Sequence, residues 1–215
     1  MAQDTVVRVP AAGVVLDADV VLPDHARAVV LFAHGSGSSR LSPRNRMVAN
    51  RLNAAGLATV LVDLLTKDEE QIDAVTAELR FDMELLSRRL TAVVDWLAGQ
   101  PDLGDLPVGL FGASTGAAAA LLAAAARPDR VVAVVSRGGR PDLAGAGLAE
   151  VRAPTLLLVG ELDPQVKELN AAAAAALPAP CELRVVPGAG HLFAEPGTLD
   201  LVVADAADWF DTRLG

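Results

Sequence analysis

Pro107-Val108-Gly109-Leu110-Phe111-Gly112-Ala113-Ser114-Thr115-Gly116 runs directly into Ala117-Ala118-Ala119-Ala120-Leu121-Leu122-Ala123-Ala124-Ala125-Ala126. The stretch 107–111 reads as a strand, and the alanine-rich stretch is among the best helix-forming compositions available. Between them, Gly112-Ala113-Ser114-Thr115-Gly116 spells G-x-S-x-G. A serine on so tight a strand-to-helix turn is pushed into a strained, exposed position, and the two glycines let strand and helix approach closely. The helix N-terminus then lies beside the hydroxyl, where its free N–H groups can stabilise developing negative charge. A glycine-flanked serine alone is an ordinary turn. Its weight comes from these flanks and from the residues downstream.

Outward from this point, strand-like and helix-like segments alternate. Thr5–Val9 and Val14–Leu22 have the alternation of antiparallel strands. Ala28–Ala33 is a continuous apolar run, as a buried central strand requires. Further strands are expected at 57–61, 107–111, 131–135, 155–159 and 182–186. Helices are expected at 43–55, 81–97, 117–126, 166–177 and 199–210, with Gly56, Gly99 and Pro101 as stop signals. Strands alternating with helices predict a mainly parallel sheet covered on both faces, with the two opening strands as an antiparallel edge. Nothing resembling a linker or an internal repeat divides the chain, so residues 1–215 read as one domain.

The sequence has 215 residues, of which 52% are hydrophobic and 21% charged, a composition that argues against disorder. A net charge of -9 argues against nucleic acid or an anionic membrane as a partner. The single cysteine, Cys181, excludes an internal disulfide. Met1-Ala2-Gln3-Asp4-Thr5 lacks the basic and apolar regions of a signal peptide, and no apolar run is long enough to span a membrane, so a cytoplasmic location is expected. Three scattered histidines make no metal cluster, and no phosphate-binding glycine motif occurs, so neither a metal nor a cofactor is expected.

Three residues fall just after predicted strands: Ser114, Asp163 in Gly160-Glu161-Leu162-Asp163-Pro164, and His191 in Pro187-Gly188-Ala189-Gly190-His191. Loops at the carboxyl ends of parallel strands gather at one edge, where all three can converge. A serine hydroxyl needs a base to become a nucleophile. His191 can take its proton and return it to a leaving group, and Asp163 can fix the imidazole tautomer and stabilise the imidazolium. Asp163 before Pro164 is equally a helix N-cap, and the two roles are compatible. After the strand at 28–33, His34-Gly35-Ser36-Gly37 offers small residues whose backbone can approach an oxyanion. Ser36 is the candidate for one N–H donor and Thr115 for the other. His34 is read as shaping that loop, not as a base.

With these pieces in order, the chain resembles the α/β-hydrolase superfamily and, within it, the small dienelactone-hydrolase-like group. The resemblance runs from the His34-Gly35 loop to the final helix. It implies an α/β-hydrolase fold: a mostly parallel eight-stranded sheet with helices on both faces. It also implies serine-dependent hydrolysis of an ester, thioester or lactone, a small-molecule acyl substrate. The resemblance departs at the elbow, where dienelactone hydrolases use cysteine and this chain has Ser114. That favours a general carboxylesterase reading over a dienelactone substrate. The segment between 135 and 155 is too short for a large cap domain, so an open site walled by Leu, Val and Ala is expected.

Two roles are open to Arg137 and Arg140, which follow the strand at 131–135. They can clamp a substrate carboxylate, or serve as structural arginines paired to an acid such as Asp142 or Asp163. Arg44 and Arg46, beside the His34 loop, pose the same choice. A catalytically idle copy of the fold, used as a binding or partner module, is the alternative to an enzyme, because fold does not imply function.

Overall fold

The computed structural model describes residues 3–214, so Met1 and Ala2 of the N-terminal reading lie outside the described residues. Eight strands form one sheet: β1 (Gln3–Ala11), β2 (Val14–Leu22), β3 (Val29–Ala33), β4 (Ala58–Val62), β5 (Val108–Ala113), β6 (Val131–Arg137), β7 (Thr155–Gly160) and β8 (Cys181–Val186). Their order across the sheet is β1-β2-β4-β3-β5-β6-β7-β8. β1 and β2 are antiparallel, β2 pairs antiparallel with β4, and every pairing from β4 to β8 is parallel. β3, β4, β5 and β7 are buried along their whole length, which is why they read as unbroken apolar runs.

Among the described residues six α-helices cover the sheet: α1 (Pro43–Ala54), α2 (Lys67–Thr76), α3 (Met83–Leu97), α4 (Thr115–Ala126), α5 (Pro164–Ala176) and α6 (Thr198–Leu214). On one face α3 and α4 pack against Leu31, Val60, Leu110 and Val134, with Ala173 of α5 joining the same cluster. On the other face, α1 and α6 enclose Phe32, Phe111, Val135 and Leu158, with the rings of Phe32 and Phe111 centred 4.9 Å apart. α4 is apolar all round and nearly all buried, as expected for a helix pressed between sheet and neighbours. Among the described residues, no helix is long and apolar enough to cross a membrane.

Two elements go beyond the sequence expectation. α2 sits in a stretch to which the sequence reading assigned no element, followed by a 3-10 turn at Leu79–Phe81, and α3 begins only after Asp82, which caps it through Leu85 N–H at 2.9 Å. The short segment Pro141–Glu150 forms 3-10 turns against α4 and α5. It is compact, consistent with the absence of a large cap.

Candidate active site

The parallel sheet sends the carboxyl ends of β3, β5, β7 and β8 to one edge, and the loops leaving them build the site. Ser114 lies between β5 and α4 at φ 51°, ψ -121°, a region that side-chain-bearing residues enter only under constraint. The constraint is visible. Ser114 N–H donates to Arg137 O at 3.1 Å, and Ser114 O accepts from Arg140 N–H at 3.0 Å and Ala117 N–H at 3.1 Å. Gly116 fits because a Cβ there would lie 2.3 Å from Ala33 O.

Ser114 Oγ lies 3.3 Å from His191 Nε2, and His191 Nδ1 lies 2.7 Å from Asp163 Oδ2. This geometry suits the tautomer in which Nδ1–H donates to the carboxylate and Nε2 accepts from the hydroxyl. Asp163 uses its second oxygen to cap α5, accepting from Val166 N–H at 3.4 Å, so the capping and orienting roles coexist in one side chain. The three residues brought together are those the sequence put at strand ends.

The hydroxyls of Ser36 and Thr115 lie 3.2 Å apart. Thr115 is the first residue of α4, where N–H groups have no intrahelical partner. Gly35 approaches closely enough that a Cβ would lie 2.9 Å from Ser114 Cβ. His34 holds this loop from behind: it is buried, its Nδ1–H donates to Gly35 O at 3.0 Å, and its Nε2 accepts from Leu64 N–H at 3.0 Å. Burial pulls its pKa below the usual imidazole value, in keeping with a neutral structural ring.

A mouth of about 370 Å³ is lined by Ser36, Phe81, Ser114, Thr115, Arg140, Asp163, Val166 and His191. Across Ser36 and Thr115 a second cavity of about 470 Å³ begins. Its wall is the His34–Ser39 loop, with Leu41, Leu64, Leu65, Ala74 and Leu86, and with Glu70, Asp73 and Arg80 on the α2 side. Phe81 in the lining of the mouth, and Leu162 and Leu192, the chain neighbours of Asp163 and His191, are each more than half exposed.

The sequence reading did not identify the α2 side of this cavity, nor Phe81 and Val166. A legible signal existed in Thr66-Lys67-Asp68-Glu69, the S/T-x-x-E capping box, which is formed in full at the start of α2. α2 is anchored by Arg89, which donates to Glu69 at 2.6 and 2.7 Å and to Leu64 O at 2.8 Å. This hydrogen-bonded arginine holds the Glu69 carboxyl down at about 2. In the cavity, Asp73 is matched by Arg80 at 2.7 Å, while desolvation raises the Glu70 pKa.

Arg140 lines the mouth, but its guanidinium is held by Asp142 at 2.7 and 2.8 Å. Arg137 is buried and lines neither cavity. Arg46 is bonded to Asp19. Burial pushes the Cys181 thiol up to about 11, so it is no competing nucleophile. Among the described residues, no group of three or more His, Cys, Asp or Glu side chains could hold a metal ion.

Comparison with known proteins agrees with this architecture. The crystal structure of a dienelactone hydrolase from Anabaena variabilis is 53% identical and superposes with a TM-score of 0.97, covering 100% of this chain and 99% of that one. A carboxyl esterase from Tuber melanosporum shares the fold at a TM-score of 0.75 and 16% identity, over 100% of this chain and 88% of that one. Curated relatives from two strains of Mycobacterium tuberculosis are 57% identical over 212 residues and bear a provisional phosphoribosyl transferase name. The match takes in 99% of this chain and 47% of theirs, so the chain spans about half the length of those relatives. The family model for dienelactone hydrolases matches residues 16–211, from β2 to the end of α6. The chain therefore belongs to the dienelactone hydrolase family.

Proposed function

We propose that this protein is a serine hydrolase that cleaves a small ester, thioester or lactone through an acyl-enzyme on Ser114. The observation that carries the reading is the continuous path Ser114 Oγ to His191 Nε2 at 3.3 Å and His191 Nδ1 to Asp163 Oδ2 at 2.7 Å. Ser114 Oγ attacks the carbonyl carbon while His191 takes its proton. The oxygen gains negative charge next to the Ser36 and Thr115 N–H groups. The C–O, or C–S, bond to the leaving group breaks as His191 returns the proton. Water, deprotonated by His191, then attacks the acyl carbon and releases the acid and Ser114. Asp163 stabilises the imidazolium in both halves.

The 470 Å³ cavity beside Ser36 and Thr115 suits an apolar acyl or leaving group of modest size. Its charge favours neutral substrates. Asp73 is balanced by Arg80, Arg140 is balanced by Asp142, and Glu70 adds negative charge to the wall. A carboxylate clamp by Arg140 would have to displace Asp142. The phosphoribosyl name of the mycobacterial relatives belongs to proteins about twice this length, and none of the triad chemistry calls for a phosphoribosyl donor.

The test is reaction with a fluorophosphonate, followed by intact mass and peptide mapping, with Ser114→Ala as control. One adduct on Ser114, lost in the variant, is expected, with turnover of neutral short-chain esters above that of carboxylate-bearing ones. Folded protein that takes no label would overturn the nucleophile assignment and favour an idle binding module.

A further inference from the structure

His191 sits in a loop whose backbone is tied down on two sides. Toward Asp163, Leu162 N–H donates to Ala189 O at 2.9 Å and Gly188 N–H donates to Glu161 Oε2 at 2.8 Å, so the loops carrying the acid and the histidine are joined directly. On the other side, both backbone groups of Gly190, the residue before His191, are held from further along the chain. Gly190 O accepts from Phe193 N–H at 3.2 Å, and Gly190 N–H donates to Glu195 Oε2 at 3.1 Å. Phe193 takes up this position at φ 54°, a conformation an aromatic residue enters only under constraint, and its side chain is buried. The turn also fits closely over Gly138, where a Cβ would lie 3.1 Å from His191 O and 3.3 Å from Phe193 Cε2.

Glu195 supplies the one ionised group that closes this turn from the far side of His191. Its carboxylate lies so close to the Gly190 backbone that a Cβ there would fall 2.9 Å from Glu195 Oε1. The Gly190 N–H first, and then the N–H groups of Glu195 itself and of Ala194, hold the carboxyl below the usual carboxylate range. It is therefore ionised at neutral pH, and its bond to Gly190 is charge-assisted. The side chain is not needed to start α6. The bonds that do so, from Thr198 N–H at 3.1 Å and Thr198 Oγ1 at 2.8 Å, go to the backbone oxygen of Glu195. Nor does the side chain line the mouth or the cavity beside Ser36.

We propose that Glu195 is a positioning residue for His191: by holding Gly190 N–H, it fixes the turn that presents the imidazole to Ser114 and Asp163. Its effect on turnover rests on the serine hydrolase reading, and its effect on the imidazole rests on the geometry alone. His191 has little margin. Its Nε2 already lies 3.3 Å from Ser114 Oγ, and its bond to Asp163 spans two loops, so a turn free to drift weakens both. A displacement of about 1 Å at a reacting group is enough to lower turnover about a hundredfold.

The experiment compares Glu195→Ala, which removes the acceptor, with Glu195→Gln, which keeps one. The first readout is kcat and KM for neutral short-chain esters. Glu195→Ala should lower kcat about ten- to a hundredfold with KM within about twofold of native, and Glu195→Gln should recover most of the loss. The second readout is the tautomer of neutral His191, read from its ring nitrogen NMR shifts and assigned with His191→Gln. The Nδ1–H form is expected in the native protein and in Glu195→Gln, and a mixture with the Nε2–H form in Glu195→Ala. Thermal midpoints should stay within about 4 °C of native, since one hydrogen bond is lost. A purely structural role would move the midpoint and leave kcat and the tautomer of the folded protein alone. Native kcat in Glu195→Ala, an unchanged tautomer in that variant, or a Glu195→Gln variant as impaired as Glu195→Ala would each overturn the assignment. If the native protein neither turns over esters nor takes a fluorophosphonate, the serine hydrolase reading fails, and the tautomer alone then decides the role of Glu195.

Discussion

At the residue scale, Asp163 carries the most separable consequences. One oxygen orients His191 and the other caps α5. Asparagine caps helices as well as aspartate does but cannot stabilise an imidazolium and favours the wrong tautomer. Asp163→Asn should therefore lower kcat by about 10³–10⁴-fold while leaving the thermal midpoint close to native. Asp163→Ala should lose activity and also about 1 kcal/mol from the cap, a midpoint drop of about 2–4 °C. Esterase assays and thermal melts of the two variants check this, and an inactive Asn variant as unstable as the Ala variant would show the two roles to be inseparable. Such dual use explains why Asp163-Pro164 reads from sequence as a cap. The local pattern carries the capping role, and only the topology, by seating β8 next to β7, brings His191 within reach of the same carboxylate. Arg137 marks the opposite limit. Its neighbours in sequence, Gly138, Gly139 and Arg140, suggest a site loop, yet strand alternation turns its side chain to the far face.

At the element scale, α2 is the piece that sequence periodicity could not reveal. Its larger apolar residues, Ile72 and Val75, face solvent, so no apolar stripe marks it as a packed helix. Its position depends instead on polar anchors. Thr66 and Glu69 close the capping box, and Glu69 receives the buried Arg89. Glu69→Gln would keep a side chain able to complete the box but leave Arg89 without a counter-charge. The lowering of Glu69 from 4.5 to about 2 corresponds to roughly 3 kcal/mol, in line with the cost of breaking a buried pair. This variant should lose about that much stability in denaturant melts and expose residues 67–81 to proteolysis. Because α2 walls the cavity beside Ser36, KM for neutral esters should rise more than kcat falls. Native stability with native KM would show that α2 is held by other contacts. By contrast, α1, α3 and α4 were legible, since each presents buried residues at helical spacing or is apolar throughout.

At the scale of the whole molecule, the sheet gathers chemistry from loops far apart in the chain, and it also sets how the fold answers to acid. His34 is buried neutral beneath the Ser36 loop, with its folded pKa lowered by desolvation. An unfolded chain takes up that proton near 6.5, while the folded chain resists it, so the unfolded state binds more protons. The stabilisation is therefore complete above the unfolded value and is lost as pH falls through it toward the lowered folded value. The carboxylates act later. Glu69, Asp73, Asp95 and Glu195 all have lowered folded values, held mainly by Arg89, Arg80, Arg127 and the Gly190 N–H, so their contribution is present above about 4.5 and disappears below it. Glu70, whose value is raised, works in the opposite sense and offsets part of this loss. Two stages of destabilisation should then appear in urea midpoints measured from pH 8 to pH 3. His34→Gln keeps an acceptor for Leu64 N–H but does not titrate, so it should flatten the upper stage and leave the lower one intact. If the upper stage persists in that variant, the proton uptake belongs to another group, and the buried ring beneath the Ser36 loop is not what ties folding to neutral pH.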